Sequence, residues 1–280
     1  MPLLTLPFPD IKAVAFWLGP FPVKWYGLAY AAGLLLGWQY VRRMLQTARL
    51  WPGNKAPFDV EKADDLLIYI AAGVVLGGRL GYVIGYKPEV YLAHPLEIFS
   101  VWNGGMSFHG GFLGSVIAML VFWRRNNCAL LPVIDLVGAA VPIGLFFGRL
   151  ANFINAELWG RPSNVRWAMI FPGTEAGGVP RHPSQLYEAT LEGLVLFAVG
   201  WWLIYKRDAL KRPGLVAGVF TAGYGCARSI SEWFREPDYA HWATSANGLM
   251  TPGILYSLPL IAAGVLLVQH VRRTDIQQAT

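Results

Sequence analysis

The segment Gly148-Arg-Leu-Ala-Asn-Phe-Ile-Asn-Ala-Glu-Leu-Trp-Gly160 sets an arginine among carboxamides in an apolar run. Arg149, Asn152 and Asn155 recur every three residues, so they share one face of a helix. A guanidinium makes two-pronged, charge-assisted contacts to phosphates, and amides add neutral donors. Such a face can bind a phosphodiester. The alternative is that Arg149 pairs with Glu157 or Glu232 and only fixes helix packing. A second polar stripe is Tyr224, Arg228 and Glu232, spaced by four. Its Arg228–Glu232 pair is either a plain internal ion pair or a carboxylate that orients a substrate-binding arginine. In Gly104-Gly-Met-Ser-Phe-His-Gly-Gly111 a histidine stands between glycines. His109 can take a proton near neutral pH, or it can be a packing or headgroup histidine. In Arg181-His-Pro-Ser-Gln-Leu-Tyr-Glu188 a helix begins, with Pro183 in the first turn, Ser184 as a cap and Glu188 at the positive end. His182 fits a structural role and a substrate contact equally. No second His or Cys follows at ligand spacing, so no metal site is expected. Cys128 and Cys226 read as small packing residues.

These groups must be positioned by membrane helices. Of the 280 residues, 55% are hydrophobic and 14% charged, against about 25% charged in soluble domains. Mean hydropathy is +0.40. A span needs about 20 mainly apolar residues, and seven segments qualify: about Val23–Leu45, Leu66–Tyr86, Ser107–Trp123, Val133–Ile154, Leu186–Tyr205, Gly214–Phe234 and Met250–His270. The fold class is therefore all-α, a polytopic integral membrane protein in a single catalytic domain over residues 1–280. Ala140-x-x-x-Gly144-x-x-x-Gly148 suits close helix packing, and Pro142 should bend the fourth span. Neither a cleavable signal peptide nor an internal repeat is evident. The loop Asn155–Gln185 is long enough to form a small outer cap or lid.

Orientation follows from lysine and arginine. The side shared by the first, third and fifth loops and the C-terminus holds Arg42, Arg43, Arg49, Lys55, Lys62, Arg124, Arg125, Lys206, Arg207, Lys211, Arg212, Arg272 and Arg273. The other side holds only Lys12, Lys24, Lys87, Arg161, Arg166, Arg181 and Arg235. The positive-inside rule places the C-terminus in the cytoplasm and the N-terminus outside. The net charge of +6 belongs to this asymmetry and needs no nucleic acid. On this topology Tyr26, Arg79, Tyr82, His109, Arg149, Asn152, Asn155, Glu157, Gln185, Tyr187, Glu188, Tyr224, Arg228 and Glu232 fall at one depth near the outer surface. Ionisable groups inside spans usually mark a pathway or an internal pair. Three classes compete: an enzyme acting on an anionic phospholipid, a lipid transporter or flippase, and an intramembrane protease. The transporter lacks its usual repeat, and the protease lacks a Gly-x-Ser-x-Gly elbow.

Several long motifs, in order along the whole chain, resemble the prolipoprotein diacylglyceryl transferase family. They are Trp25-Tyr26-Gly27, Gly78-Arg-Leu-Gly-Tyr82, Trp102-Asn-Gly-Gly-Met-Ser-Phe-His-Gly110, Gly148–Gly160, Arg181–Glu188, and Tyr224-Gly-x-x-Arg228-x-x-x-Glu232-x-x-Arg235-x-Pro-Asp238. Ala151 and Ala156 stand where the family commonly has glycine, and tighter packing is expected there. The resemblance implies transfer of the sn-1,2-diacylglyceryl group of phosphatidylglycerol to the lipobox cysteine of a prolipoprotein signal peptide in the bacterial cytoplasmic membrane. Glycerol phosphate is released, and neither metal nor cofactor is implied. It singles out Tyr26, His109, Arg149, Asn152, Glu157, Gly160, Arg228 and Glu232. The expected roles follow: Arg149 and Arg228 hold phosphate, and His109 with Tyr26 activates the thiol. Glu157 and Glu232 orient the arginines, Asn152 positions headgroup oxygens, and Gly160 permits a tight turn.

Overall fold

The structure is a computed structural model that describes residues 6–100, 104–236 and 251–279. Trp102 and Asn103, Pro237 and Asp238, and the expected start of the last span at Met250 lie outside the described residues. Long helices dominate: α1 (Trp25–Gln46), α2 (Lys62–Gly85), α4 (Phe108–Asn126), α5 (Leu130–Ile154), α8 (Leu215–Glu232) and α9 (Pro252–Ala279). The short α3 (Pro88–Ala93) follows α2. A composite helix runs Ser184–Arg207 as α6 (Ser184–Glu188), a π-helical stretch Ala189–Val195 and α7 (Leu196–Arg207). These runs coincide with the seven apolar segments. Four of them, Lys62–Gly85, Leu130–Ile154, Ser184–Arg207 and Pro252–Thr274, are long and apolar enough to cross a membrane. Helix α5 continues through Pro142.

The chain forms two compact units, Met1–Tyr40 with Asp135–Thr280, and Val41–Ile134. In the second unit α2 and α4 pack through glycine. A Cβ on Gly110 or Gly114 would run into the backbone of Gly77 or Gly73, and one on Gly81 would sit 2.7 Å from the Cα of Gly110. Small residues let backbones meet where lipid removes any hydrophobic gain from helix association. In the first unit the expected small-residue seam on α5 appears. A Cβ on Gly33 would lie 3.0 Å from the Cα of Gly144, and one on Gly37 3.7 Å from Ala140. The seam stops there, since nothing lies within 4 Å of a Cβ on Gly148.

Asp135, fully buried on α5, reaches the start of α8. Its carboxylate accepts from the Gly214 N–H at 2.6 Å and the Ala217 N–H at 2.7 Å. The first turn of a helix has unsatisfied N–H groups and a positive end, so an anion from a neighbouring helix caps it. This fixes the level of α8, which carries the second polar stripe.

The segment after α5 is folded. Strand β4 (Met169–Ile170) pairs parallel with β1 (Leu6–Pro7) and antiparallel with β5 (Pro180–Arg181). Phe153, Phe171 and Ala176 form a small buried core with Phe8, Ala156, Trp159, Met169 and Leu186 packed on it. A separate hairpin of β2 (Val14–Leu18) and β3 (Phe21–Lys24) leads into α1.

Candidate active site

Three buried glutamates and three arginines meet in the first unit. Arg149, one turn before the end of α5, places Nε 2.9 Å from Glu188 Oε2 and Nη2 3.4 Å from Glu192 Oε2. Arg228 on α8 places Nη2 2.6 Å from Glu232 Oε2 and Nη1 3.4 Å from Glu188 Oε1. Arg235 reaches the same Glu188 oxygen at 3.3 Å. Glu188 is thus the hub, completely buried and facing three cations. Tyr224 lies within electrostatic reach of Arg149, Arg228 and both Glu188 and Glu192. Burying charge is costly unless each ion is paired, and three carboxylates against three guanidiniums leave the cluster near neutral. Among the described residues, Nη1 of Arg149 has no protein partner, and its side chain keeps 17% exposure.

The pairing differs from the sequence expectation. Arg149 meets neither Glu157 nor Glu232; Glu188 and Glu192 take that place. Glu188 is not simply a residue at a helix's positive end, and Ser184 is not its cap. Pro183 holds the N-cap position, and Ser184 Oγ donates to the Leu158 carbonyl at 3.0 Å. Glu232 does pair with Arg228, the partner expected for it. Glu157 instead accepts from Asn152 Nδ2 at 2.7 Å, while its carbonyl accepts from Gln185 Nε2 at 2.6 Å. Tyr26 lies beside this pair, interacting with Asn152 and Glu157, and with Tyr30, whose hydroxyl is 3.3 Å away.

Asn155 does not continue the Arg149–Asn152 face, because α5 ends at Ile154. The Ala156 N–H bonds to the Phe153 carbonyl and the Glu157 N–H to the Asn152 carbonyl. This is a Schellman ending, which needs a left-handed residue at its turn. Ala156 occupies it with φ +54°, and Leu158 follows at +58°. The alanine is therefore strained, where tighter packing was expected; Ala151 is completely buried.

Gly160 serves close approach and not a turn. Its N–H donates to the His182 carbonyl at 2.9 Å, and a Cβ would strike the Phe234 carbonyl and His182. Arg161 Nε donates to the Arg235 carbonyl at 2.9 Å, and Arg181 Nη1 to the Gly160 carbonyl at 3.1 Å. His182 lies over Phe234 and Tyr187. Trp167 Nε1 donates to the Tyr187 hydroxyl at 2.6 Å, and that hydroxyl is 3.1 Å from His182 Nδ1. An indole only donates, so the tyrosine passes its proton toward Nδ1 and the neutral imidazole carries hydrogen on Nε2. Burial pushes the His182 pKa down, which favours that neutral form.

His109 belongs to the second unit. It is the second residue of α4, whose N-cap Ser107 accepts from the Gly110 N–H at 3.2 Å. Arg79 orders the chain entering that helix. Its guanidinium donates to the carbonyls of Glu97, Ile98, Gly104 and Gly105 and lies 5.1 Å over the Tyr91 ring.

Sequence reasoning passed over Glu192 and used Arg235 only within a motif and in the charge count, not as a site residue. The available signal was a pair of glutamates four apart, Glu188 and Glu192, in a stretch otherwise apolar enough to span.

Comparison with known proteins covers nearly all of the chain. The family described as prolipoprotein diacylglyceryl transferase matches residues 13–270. A phosphatidylglycerol–prolipoprotein diacylglyceryl transferase of Rhizobium meliloti (strain 1021) is 52% identical over 270 residues, 96% of this chain and 95% of the relative. The Methylocella silvestris protein of the same name is 51% identical over 271 residues, 97% of each chain. That of Beijerinckia indica is 53% identical over 283 residues, covering 100% of both.

Proposed function

Because this chain belongs to the prolipoprotein diacylglyceryl transferase family, we propose that it moves the sn-1,2-diacylglyceryl group of phosphatidylglycerol onto the lipobox cysteine of a prolipoprotein. The observation that carries this reading is Arg149. It is a guanidinium set by two buried carboxylates with one N–H pair left for an incoming anion, in a chain similar over its whole length to enzymes of that name. The cysteine thiolate attacks the sn-3 carbon of the glyceryl group. A C–S bond forms, the C–O bond to phosphate breaks, and glycerol phosphate leaves with the electron pair. The thiol proton goes to a base.

Roles follow from chemistry and position. Arg149 and Arg228 hold the phosphodiester and stabilise charge growing on the departing phosphate. Glu188 and Glu232 set their orientation. Asn152, held by Glu157, positions headgroup oxygens, with Asn155 just beyond it on the chain and Tyr224 one turn before Arg228 on α8. The family resemblance supports His109 as the base that takes the thiol proton and Tyr26 as a second catalytic residue, since an ordinary thiol with pKa of about 8.5 is mostly protonated at neutral pH. His182 and Gly160 hold the outer segment, residues 155–185, as a cap over the site.

The same reading places seven helices across the bacterial cytoplasmic membrane, with the N-terminus outside, the C-terminus in the cytoplasm and the site facing the outer leaflet. The lysine and arginine asymmetry supports this. Both substrates, a phospholipid and a signal peptide, then approach laterally.

The test is a transfer assay. Purified protein in detergent receives phosphatidylglycerol and a lipobox peptide in Cys and Ser versions. A diacylglyceryl adduct on the Cys peptide alone, with glycerol phosphate released, is the expected result by mass spectrometry. Absence of adduct where a relative succeeds, with lipid moved between leaflets of proteoliposomes, would replace the reading with a transporter.

A further inference from the structure

Arg149 and Glu192 are mismatched in a way an ion pair alone does not require. A guanidinium and a carboxylate can form two parallel hydrogen bonds. Here a single contact of 3.4 Å joins Nη2 to Oε2. Nη1 of Arg149 and Oε1 of Glu192 are each left without a partner among the described residues, and that oxygen is fully buried. Gln185, on the same composite helix and also fully buried, has its Oε1 without a donor as well. A buried acceptor with no donor costs about 1–3 kcal/mol, and more when charged, so native proteins rarely keep one without a use.

The backbone is built to hold Glu192 there. It lies in the π-helical stretch Ala189–Val195, and such stretches recur at functional sites. The next residue, Gly193, lets this stretch press on α5: a Cβ there would sit 2.9 Å from the Cα of Phe146 and 2.7 Å from its Cβ. Phe146 is one helical turn before Arg149, so the glycine sets the approach of Glu192 to that arginine. The pair therefore offers two donor hydrogens on Nη1 and, beside them, one buried anionic acceptor.

We infer that Glu192 accepts a hydrogen bond from a headgroup hydroxyl of the phospholipid whose phosphate Arg149 holds, and so selects lipids with a free headgroup hydroxyl. This rests on the phosphate-binding reading of Arg149 given above. The phosphoryl oxygen takes Nη1, and the alcohol branch of the same phosphodiester donates to Oε1. An ammonium headgroup is disfavoured, because each carboxylate here is already paired with a guanidinium and an ammonium would be buried without a carboxylate of its own.

The test compares phosphatidylglycerol with phosphatidylpropanol, which has the same charge and reach and no hydroxyl, and with phosphatidylethanolamine. The ratio of kcat/KM for thioether formation on a lipobox peptide is the readout. Wild-type protein is expected to prefer phosphatidylglycerol over phosphatidylpropanol by about 10- to 100-fold, the worth of one hydrogen bond to a charged group. In Glu192→Ala the preference should fall below about threefold, because the loss falls on the hydroxyl-bearing lipid. An unchanged ratio with activity lowered equally on both lipids would make Glu192 a packing residue and overturn the inference. So would a wild-type protein that does not discriminate, or one that uses phosphatidylethanolamine as well as phosphatidylglycerol. Relative affinities of the lipids for wild-type protein, measured by native mass spectrometry, give the same ratio without turnover. A preference in binding with no transfer from phosphatidylglycerol would sink the transferase reading and leave this one standing.

Discussion

Arg149 carries more of the proposed chemistry than any other residue, and its surroundings say which changes it tolerates. Two carboxylates fix the plane of its guanidinium. Arg149→Ala should lower transfer by more than about 100-fold, the usual worth of a donor aimed at developing charge. Arg149→Lys should recover little, since a point charge cannot face Glu188, Glu192 and a phosphate at once. Near-normal thioether yield from either variant would remove Arg149 from the mechanism. Ala156 makes a different kind of prediction. A left-handed alanine at a Schellman turn is strained, so Ala156→Gly should stabilise the protein by about 0.5–1 kcal/mol, read as a higher Tm in detergent. An unchanged or lower Tm would mean the turn relaxes in another way. His182 predicts a pH effect. Its folded pKa lies below the ordinary value of 6.5, so between the two values the unfolded chain binds the extra proton. Stability from this group is then present above about pH 6.5 and is lost as pH falls toward the folded pKa. The fall in Tm from pH 7 to pH 5 should be smaller in His182→Gln, and equal slopes would exclude His182 as the cause.

At the level of elements, glycine seams decide how close the helices come. A Cβ on Gly114 would fall on the Gly73 carbonyl, whereas one on Gly85 meets nothing within 4 Å. Gly114→Val should therefore destabilise by about 1–3 kcal/mol through overpacking, with Gly85→Ala as the silent control. Equal thermal stability of the two variants would show that α2 and α4 can part without cost. A related close approach lies at the start of α9, where a Cβ on Gly253 would enter the Glu232 carboxylate. The backbone there lies directly over the group that orients Arg228. Asp135 acts at longer range, because by capping α8 it sets the height of Tyr224, Arg228 and Glu232 against α5. Ends and joints of helices position this site as much as their faces do.

For the whole molecule, the proposed orientation makes a simple prediction. A fluorescent reporter fused after Thr280 should be active in the cytoplasm, and an exported phosphatase fused there should be silent. The opposite pattern would invert the topology and place the site on the wrong side for a secreted substrate. Apolar runs of span length and the bias of lysine and arginine are local properties of the chain. They were enough to predict the long helices, and most boundaries moved by only a few residues: the last described helix begins at Pro252, and the fifth opens at Ser184 where Leu186 was expected, whereas the last helix runs on to Ala279, well past the expected end at His270. Residue types likewise marked Arg149, Asn152, Arg228 and Glu232 as groups too costly to bury without a purpose. The partners of those groups were not legible. Arg149 was matched to Glu157 or Glu232, yet it meets Glu188 and Glu192, because pairing is set by the rotation and height of separate helices. A 3.6-residue period says which side chains share a face, and nothing about which neighbour that face meets. The π-helical stretch, the left-handed Ala156 and the crossing of chains at Gly160 are of the same kind. Each depends on atoms brought together from distant parts of the sequence, and only tertiary packing decides them.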